Sequence, residues 1–251
     1  MSLDPHKAVL IAYSEMDFCN PLSPALLDRV LAAARLKPGA TALDLGCGNA
    51  AMAIHLAETY GLKVEAIERS PAVAAIARLR LEGRGAPGQV TLHNISSRDY
   101  LTGERQFDLL VAVGPSGVVE GPPEPAAVLA ALRPHVRPGG FLLWADPFWK
   151  RPPDPMFVAM LGSLAAYKTH AENIAAGEAC GLVPYYAAVS PDQDWDDYAW
   201  RMASAAEHWL ATHPSDPEAD SVRQRKAFMR AAYIAQGRDS MGLGVYLFRA
   251  P

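Results

Sequence analysis

Through the first 150 residues, short apolar runs alternate with stretches of helical period. The runs 42–45, Lys63–Ile67, Val90–His93, Phe107–Val113 and 141–145 read as strands. Phe107–Val113 is almost unbroken in apolar character, as a strand buried on both faces is. Ser23-Pro24 starts a helix over 25–35, and Lys37-Pro38-Gly39 stops it. Helices follow over 50–60, closed by Gly61, from Ser70-Pro71 to Glu82, and over Pro125–Leu132. Strands alternating with helices predict βαβ units and a parallel sheet.

The pattern changes beyond this half. Residues 146–155 are rich in proline and aromatic residues, DPFWKRPPDP. Helical stretches over 156–167 and His170–Ala179 come next, then a sixth candidate strand over 182–189. A helical block over 195–238, interrupted near 214–217, precedes a last strand over 242–248. The block is larger than a sheet of this kind needs, which predicts a lid. We read one domain over 1–251. It comprises an N-terminal helical segment (1–40), a cofactor-binding core (41–150), the rest of the core (151–189 and 242–251) and a helical lid insert (190–241).

The bulk composition removes several function classes. A net charge of −4 gives no general electrostatic reason to hold nucleic acid or an anionic membrane. Cys19, Cys47 and Cys180 are odd in number and widely spaced, against both a disulfide framework and a zinc site. The N-terminus lacks the basic start and long apolar run of a secretory signal, and no window reaches the ~18 apolar residues of a membrane span. The expectation is a cytoplasmic protein without a metal. Its oligomeric state is left open.

The most informative segment is LDLGCGNA, Leu43 to Ala50. It is a strand entering a helix through D-x-G-x-G. Gly46 and Gly48 let the backbone turn sharply and approach a ligand closely. The helix N-terminus then offers N–H donors to an anionic group. Glu68 ends the next strand, 24 residues after Asp44, where a carboxylate accepts both hydroxyls of a ribose. This geometry serves dinucleotides and S-adenosylmethionine alike. Asp44 favours the latter, because it lies two residues before the first glycine, where it meets a cationic amino group and where a dinucleotide loop has an apolar residue. An NAD(P)-dependent oxidoreductase remains an alternative, as does a cofactor-binding protein without transfer activity.

LDLGCGNA and VEAIERS resemble the first two motifs of class I S-adenosylmethionine-dependent methyltransferases. More of the chain is similar to a family of uncharacterised bacterial methyltransferases typified by YjhP: FDLLVAVGPSGVVEG, LRPHVRPGGFLLWADPFWKRPP, SPDQDWDDYAWRMASAAEHWLATHPSDP and GLGVYLF. Asn20-Pro21 also belongs to the resemblance. It implies an α/β fold: a Rossmann-like, seven-stranded, mostly parallel sheet with an antiparallel C-terminal strand, helices on both faces, and the lid insert before the last strand. It also implies cofactor roles. Asp44, Gly46, Cys47, Gly48 and Asn49 would line the methionine end and Glu68 would bind the ribose. Arg69 would flank the adenine, and Val113, Gly114 and Pro115 would lie beneath the sulfonium. Where many such enzymes place an acidic residue for the adenine amino group, this chain has Ile95. Backbone Ile95 and the Ser96 hydroxyl are the favoured substitutes, with Asp99 as another.

The acceptor side is less legible. No histidine stands out as a base: His55 and His93 read as helix and strand residues, His208 and His213 as lid surface. Val113-Gly114-Pro115-Ser116 lacks the amide or carboxylate of nucleic-acid amine methyltransferases, which with the acidic charge favours a small-molecule acceptor. Phe148 and Trp149 follow the fifth strand, on the side where open α/β sheets bind ligands. Trp195 and Tyr198 share one helical face. Trp149, Trp195 and Tyr198 are therefore the candidate acceptor walls. One of Asp194, Asp196 and Asp197 is expected to cap the lid helix.

Overall fold

The computed structural model describes residues 4–84, 88–114, 117–120, 124–161 and 167–251. Its centre is a seven-stranded sheet in the order β3-β2-β1-β4-β5-β7-β6. The strands are β1 (Thr41–Leu45), β2 (Lys63–Ile67), β3 (Val90–His93), β4 (Phe107–Val113), β5 (Val136–Trp149), β6 (Val183–Val189) and β7 (Met241–Arg249). The first five are parallel, and β7 runs antiparallel between β5 and β6. This is the Rossmann-like architecture that the resemblance implied, with the parallel βαβ half that the pattern predicted.

Side chains alternate across the sheet, as the strand period demands, apart from a register shift between Phe107 and Leu109. Leu109, Val111, Leu143, Val245 and Leu247 face one way, onto α2 (Pro24–Leu31), α3 (Ala51–Tyr60) and α4 (Pro71–Glu82). Leu43, Leu110, Leu142, Trp144, Tyr246 and Phe248 face the other, onto α5 (Ser97–Tyr100), α6 (Pro125–Leu132) and, past α7 (Pro155–Leu161), α8 (His170–Ala179). Ser23 and Ser70 cap α2 and α4, each accepting a backbone N–H and each followed by proline.

One strand differs from its sequence reading. The run 141–145 is the middle of β5, which continues to Trp149 because β7 pairs with it residue for residue, from Phe141 against Arg249 to Trp149 against Met241. The partner comes from the far end of the chain, so no local signal marks the extension.

The helices between β6 and β7 are α9 (Asp192–Thr212), α10 (Ala219–Ala232), a π-helical turn (Tyr233–Gly237) and α11 (Arg238–Ser240). Together with the N-terminal α1 (Pro5–Tyr13) they build a satellite core of Ile11, Ala205, Ala206, Leu210, Ala219 and Val222. Lys7 ties the two segments by bonding Asp216 at 2.7 Å and Glu218 at 2.8 Å. The expected carboxylate cap on α9 is absent, since Pro191 holds that position. The acids work across elements instead. Asp194 accepts from Ser23 N at 3.1 Å, and Asp196 accepts from the Tyr233 hydroxyl and the Arg238 guanidinium. Among the described residues no helix is long and apolar enough to cross a membrane.

Candidate functional site

The strand-to-helix turn after β1 has the backbone its glycines imply. Gly46 sits at φ +71° and Gly48 at φ +57°. A Cβ at Gly46 would meet nothing within 4 Å, so the turn faces open space. A Cβ at Gly48 would stand 3.2 Å from Cys19 Sγ, so this glycine is also what lets the N-terminal segment close on the loop. Cys47 N donates to Ile67 O, and Gly48 N donates to Glu68 Oε2 at 3.2 Å, tying the loop to the end of β2. Glu68 Oε1 accepts from Ser70 N at 2.7 Å. Each oxygen is thus oriented by one backbone N–H and keeps a further lone pair for a ligand. Asn94, which the sequence reading passed over, fixes this corner by donating to the carbonyls of Glu68 and Arg69.

Asp44 points from β1 into the turn. It is 3 % exposed, and its Oδ2 is buried without a hydrogen-bond partner. Burial, with the Glu68 charge adding to it, pushes its carboxyl up to about 7. A buried carboxyl oxygen left without a donor is costly, and a bound cationic group removes the cost. Glu68 is also raised, chiefly by burial, against the lowering effect of its two backbone N–H donors.

Asn49 stands in the loop beside Gly48, where its motif implied. Its side chain is consumed within the protein. Oδ1 accepts from Ala51 N at 3.1 Å, and Nδ2 donates to Met16 O at 2.8 Å and Asp17 O at 3.0 Å. Arg80 donates to the same two carbonyls. Asn49 therefore staples the chain after α1 onto the loop.

These residues open into a single cavity of about 1070 Å³. Asp44, Gly46, Cys47, Gly48, Asn49, Glu68, Arg69, Ser96, Val113 and Gly114 all line it, as do Trp195 and Tyr198. Pro115 lies outside the described residues. The positions considered for the adenine side are placed differently from one another. Ile95 does not line the cavity and is 37 % exposed. The Ser96 hydroxyl is committed to Asp99, accepting from its N–H and donating to its Oδ2, as the cap of α5. Asp99, however, is on the wall. Trp149 is one layer back, because Phe157 of α7 and Tyr167 pack against its ring and take the wall position themselves.

Tyr13, Cys19 and Asn20 also line the cavity and were not singled out from sequence as site residues. Burial pushes the Cys19 thiol and the Tyr198 phenol up to about 12 each, so both are neutral near pH 7. The Asn20 Oδ1 and Trp195 Nε1 atoms are buried without partners. On the opposite face of β5, burial pushes Asp146 up to about 7. Among the described residues no group of three or more His, Cys, Asp or Glu side chains is placed to hold a metal. His55 pairs with Asp28, His93 with Glu65 and His208 with Glu15, which leaves these rings in structural contacts.

Comparison with known proteins agrees with this geometry. Residues 42–140 match the methyltransferase-domain family. The chain is 26 % identical over 250 residues to YjhP of Escherichia coli K12, covering 97 % of this chain and 98 % of that one. Its fold superposes on a SAM-dependent methyltransferase from Thiobacillus denitrificans in complex with S-adenosyl-L-homocysteine, with TM-score 0.87, 26 % identity and all of both chains covered. A second such complex, from Geobacter sulfurreducens, gives TM-score 0.88 at 25 % identity, covering 100 % of this chain and 99 % of that one. This chain is a Rossmann-like S-adenosylmethionine-dependent methyltransferase. The S-adenosyl-L-homocysteine in both neighbouring structures is consistent with S-adenosylmethionine as the cofactor here. The open cradle at Gly46, the partnerless Asp44 oxygen and the oriented Glu68 carboxylate are a donor and acceptor set that this cofactor fits.

Proposed function

We propose that the enzyme methylates a small-molecule acceptor held between the loop after β1 and the α9–α10 lid. The observation that carries this reading is the continuity of the cavity: one space runs from Asp44 and Glu68 to Trp195 and Tyr198. At about 1070 Å³ it is at or beyond the upper end of the roughly 300–1,000 Å³ typical of single-ligand pockets. Two ligands can meet there without leaving the protein.

In this proposal Asp44 receives the amino group of the methionine end, and Gly46, Cys47 and Gly48 provide backbone approach beside it. Glu68 accepts from the ribose hydroxyls. Arg69 and Asp99 flank the adenine, with Asp99 replacing the role first assigned to Ile95 and Ser96. Val113 and Gly114 form the floor. When bound, S-adenosylmethionine supplies a methyl group already activated by its positive sulfur, leaving S-adenosylhomocysteine after an acceptor lone pair takes the methyl in line.

The protein then has to position and desolvate. Trp195 and Tyr198 cover the acceptor side and exclude water. Tyr13 and Cys19, neutral near pH 7, close the space beside Gly48 without adding charge near the reacting atoms. The small-molecule reading is also supported by the absence of any acidic or amide side chain among the described residues at the end of β4, Val113 and Gly114.

The test is calorimetry followed by a labelled-methyl screen. S-adenosylhomocysteine should bind and NAD should bind far more weakly. Methyl label should pass to a low-molecular-weight fraction of a metabolite extract and not to RNA, DNA or protein. Label in a macromolecular fraction alone would refute the acceptor class.

A further inference from the structure

The charge on the cavity wall is mixed on the cofactor side, where Arg69 and Arg98 stand among the acids, and of one sign on the lid. Its acids are Asp44, Glu68 and Asp99, all on the cofactor side. The lid contributes Arg225, Lys226 and Arg230 to the lining and no carboxylate. Lys226 is paired with Glu207. Arg225 and Arg230 have neither an ion pair nor a side-chain hydrogen bond among the described residues, and Arg225 is near enough to favour ionisation of the Tyr198 phenol against the effect of burial. By contrast Arg223, which does not line the cavity, bonds Asp220 of its own helix.

Arg225 and Arg230 are exposed, Arg230 within electrostatic reach of Glu207, and apolar residues share their part of the wall. The α10 residues on the wall include the apolar Val222, Phe228 and Met229 beside Arg225 and Arg230, with Tyr233 of the π-helical turn following them. Facing them are apolar residues of α1 and α9, among them Ile11 and Ala206. The rim is apolar too: Trp200 is 50 % exposed and Phe228 49 %, and both line the mouth. Large apolar side chains exposed beside unpaired arginines mark a surface that receives a ligand with both characters. A third observation is independent of the arginines. The Trp195 Nε1 donor is buried on the same wall with no acceptor, a cost that a ligand oxygen would remove.

Resting on the cofactor reading above, we propose that the methyl acceptor is an anionic amphiphile. Its carboxylate or phosphate-type head is held by Arg225 and Arg230, and its apolar body packs between α1, α7 and α9. Trp195 Nε1 donates to an oxygen of the ligand deeper in the cavity. A cationic amine or a fully polar metabolite would meet the wrong charge or leave the apolar wall unfilled.

The probe is dodecanoate below its micelle concentration, titrated calorimetrically into protein saturated with S-adenosylhomocysteine. It should bind at least about tenfold more tightly than dodecyltrimethylammonium, and more tightly than acetate. Arg225→Glu should weaken dodecanoate about tenfold or more, and Trp195→Phe, which keeps a ring but removes the donor, several-fold. Both variants should leave S-adenosylhomocysteine affinity within about twofold, which shows that they are folded. Vesicles of phosphatidylglycerol provide a second arm: Arg225-dependent co-sedimentation assigns the head group to a bilayer, and its absence beside dodecanoate binding assigns it to a free amphiphile. Equal affinity for dodecanoate and dodecyltrimethylammonium, or no loss in Arg225→Glu, overturns the inference while leaving the cofactor site intact. Failure to bind S-adenosylhomocysteine sinks the cofactor reading first.

Discussion

At the scale of single residues, two carboxylates stand at the loop after β1, and their environments make different predictions. Asp44 is nearly closed off from solvent and its carboxyl is pushed up to about 7. A folded-state value above the unfolded one means that the free protein loses stability as pH rises from about 4 to about 7. A cationic amino group prefers the ionised form. Affinity for S-adenosylhomocysteine should therefore rise with pH, by at most about tenfold per unit, and level off above about 7. Asp44→Asn should flatten that profile. A wild-type profile that is flat from pH 5.5 to 8 would remove Asp44 from contact with the amino group. Glu68 is held by Gly48 N and Ser70 N and needs no rearrangement to meet a ribose. Charge-assisted hydrogen bonds contribute about 1.5–3 kcal/mol, so Glu68→Ala should weaken cofactor binding roughly ten- to a hundredfold. Calorimetry with an unchanged dissociation constant would place the ribose elsewhere.

At the scale of elements, the decisive contact is the staple from the loop before α3 to the segment after α1. Asn49 bonds the carbonyls of Met16 and Asp17 and is 1 % exposed. Asn49→Ala leaves Ala51 N without its side-chain acceptor and takes a donor from both carbonyls. We expect a loss of about 1–3 kcal/mol in unfolding free energy and a parallel loss of cofactor affinity. Denaturant melts would decide it, and a variant as stable as wild type would make the staple incidental. This contact was not legible in the sequence. The motif marks Asn49 as a loop residue, but its partners lie more than thirty positions away. The local signals were read well where they are local: α4, α6 and α8 begin and end where serine, proline, threonine and glycine punctuate them. β5 was shortened to its middle because its outer residues are strand only by pairing with β7.

At the scale of the whole molecule, α1 and the lid form one cover, closed by the satellite core around Ile11 and Leu210 and by the Lys7 ion pairs. The far end of the lid is anchored through Asp196 to Tyr233 and Arg238. A ligand that bridges the loop after β1 and this cover should slow opening of both segments together. Hydrogen exchange in the presence of S-adenosylhomocysteine should show added protection in α1, in residues 16–21 and in the first turns of α9, with β3 and α6 unchanged. Protection confined to the loop after β1 would mean that the cover moves independently of the cofactor.

The sequence by itself determined the cofactor class and the sheet. Gly46, Gly48, Asp44 and Glu68 act through backbone conformation and charge at fixed local spacing, and alternation along each strand sets which side is buried. Only the tertiary structure decided which residues line the cavity. It set Phe157 and Tyr167 against the Trp149 ring and on the cavity wall, brought Tyr13 and Cys19 beside Gly48, and set Arg225 and Arg230 on the same wall. Those positions depend on how helices remote in sequence pack over one end of the sheet. Packing of that kind leaves no periodic trace, because a helix stripe reads the same whether it faces a core or a cavity.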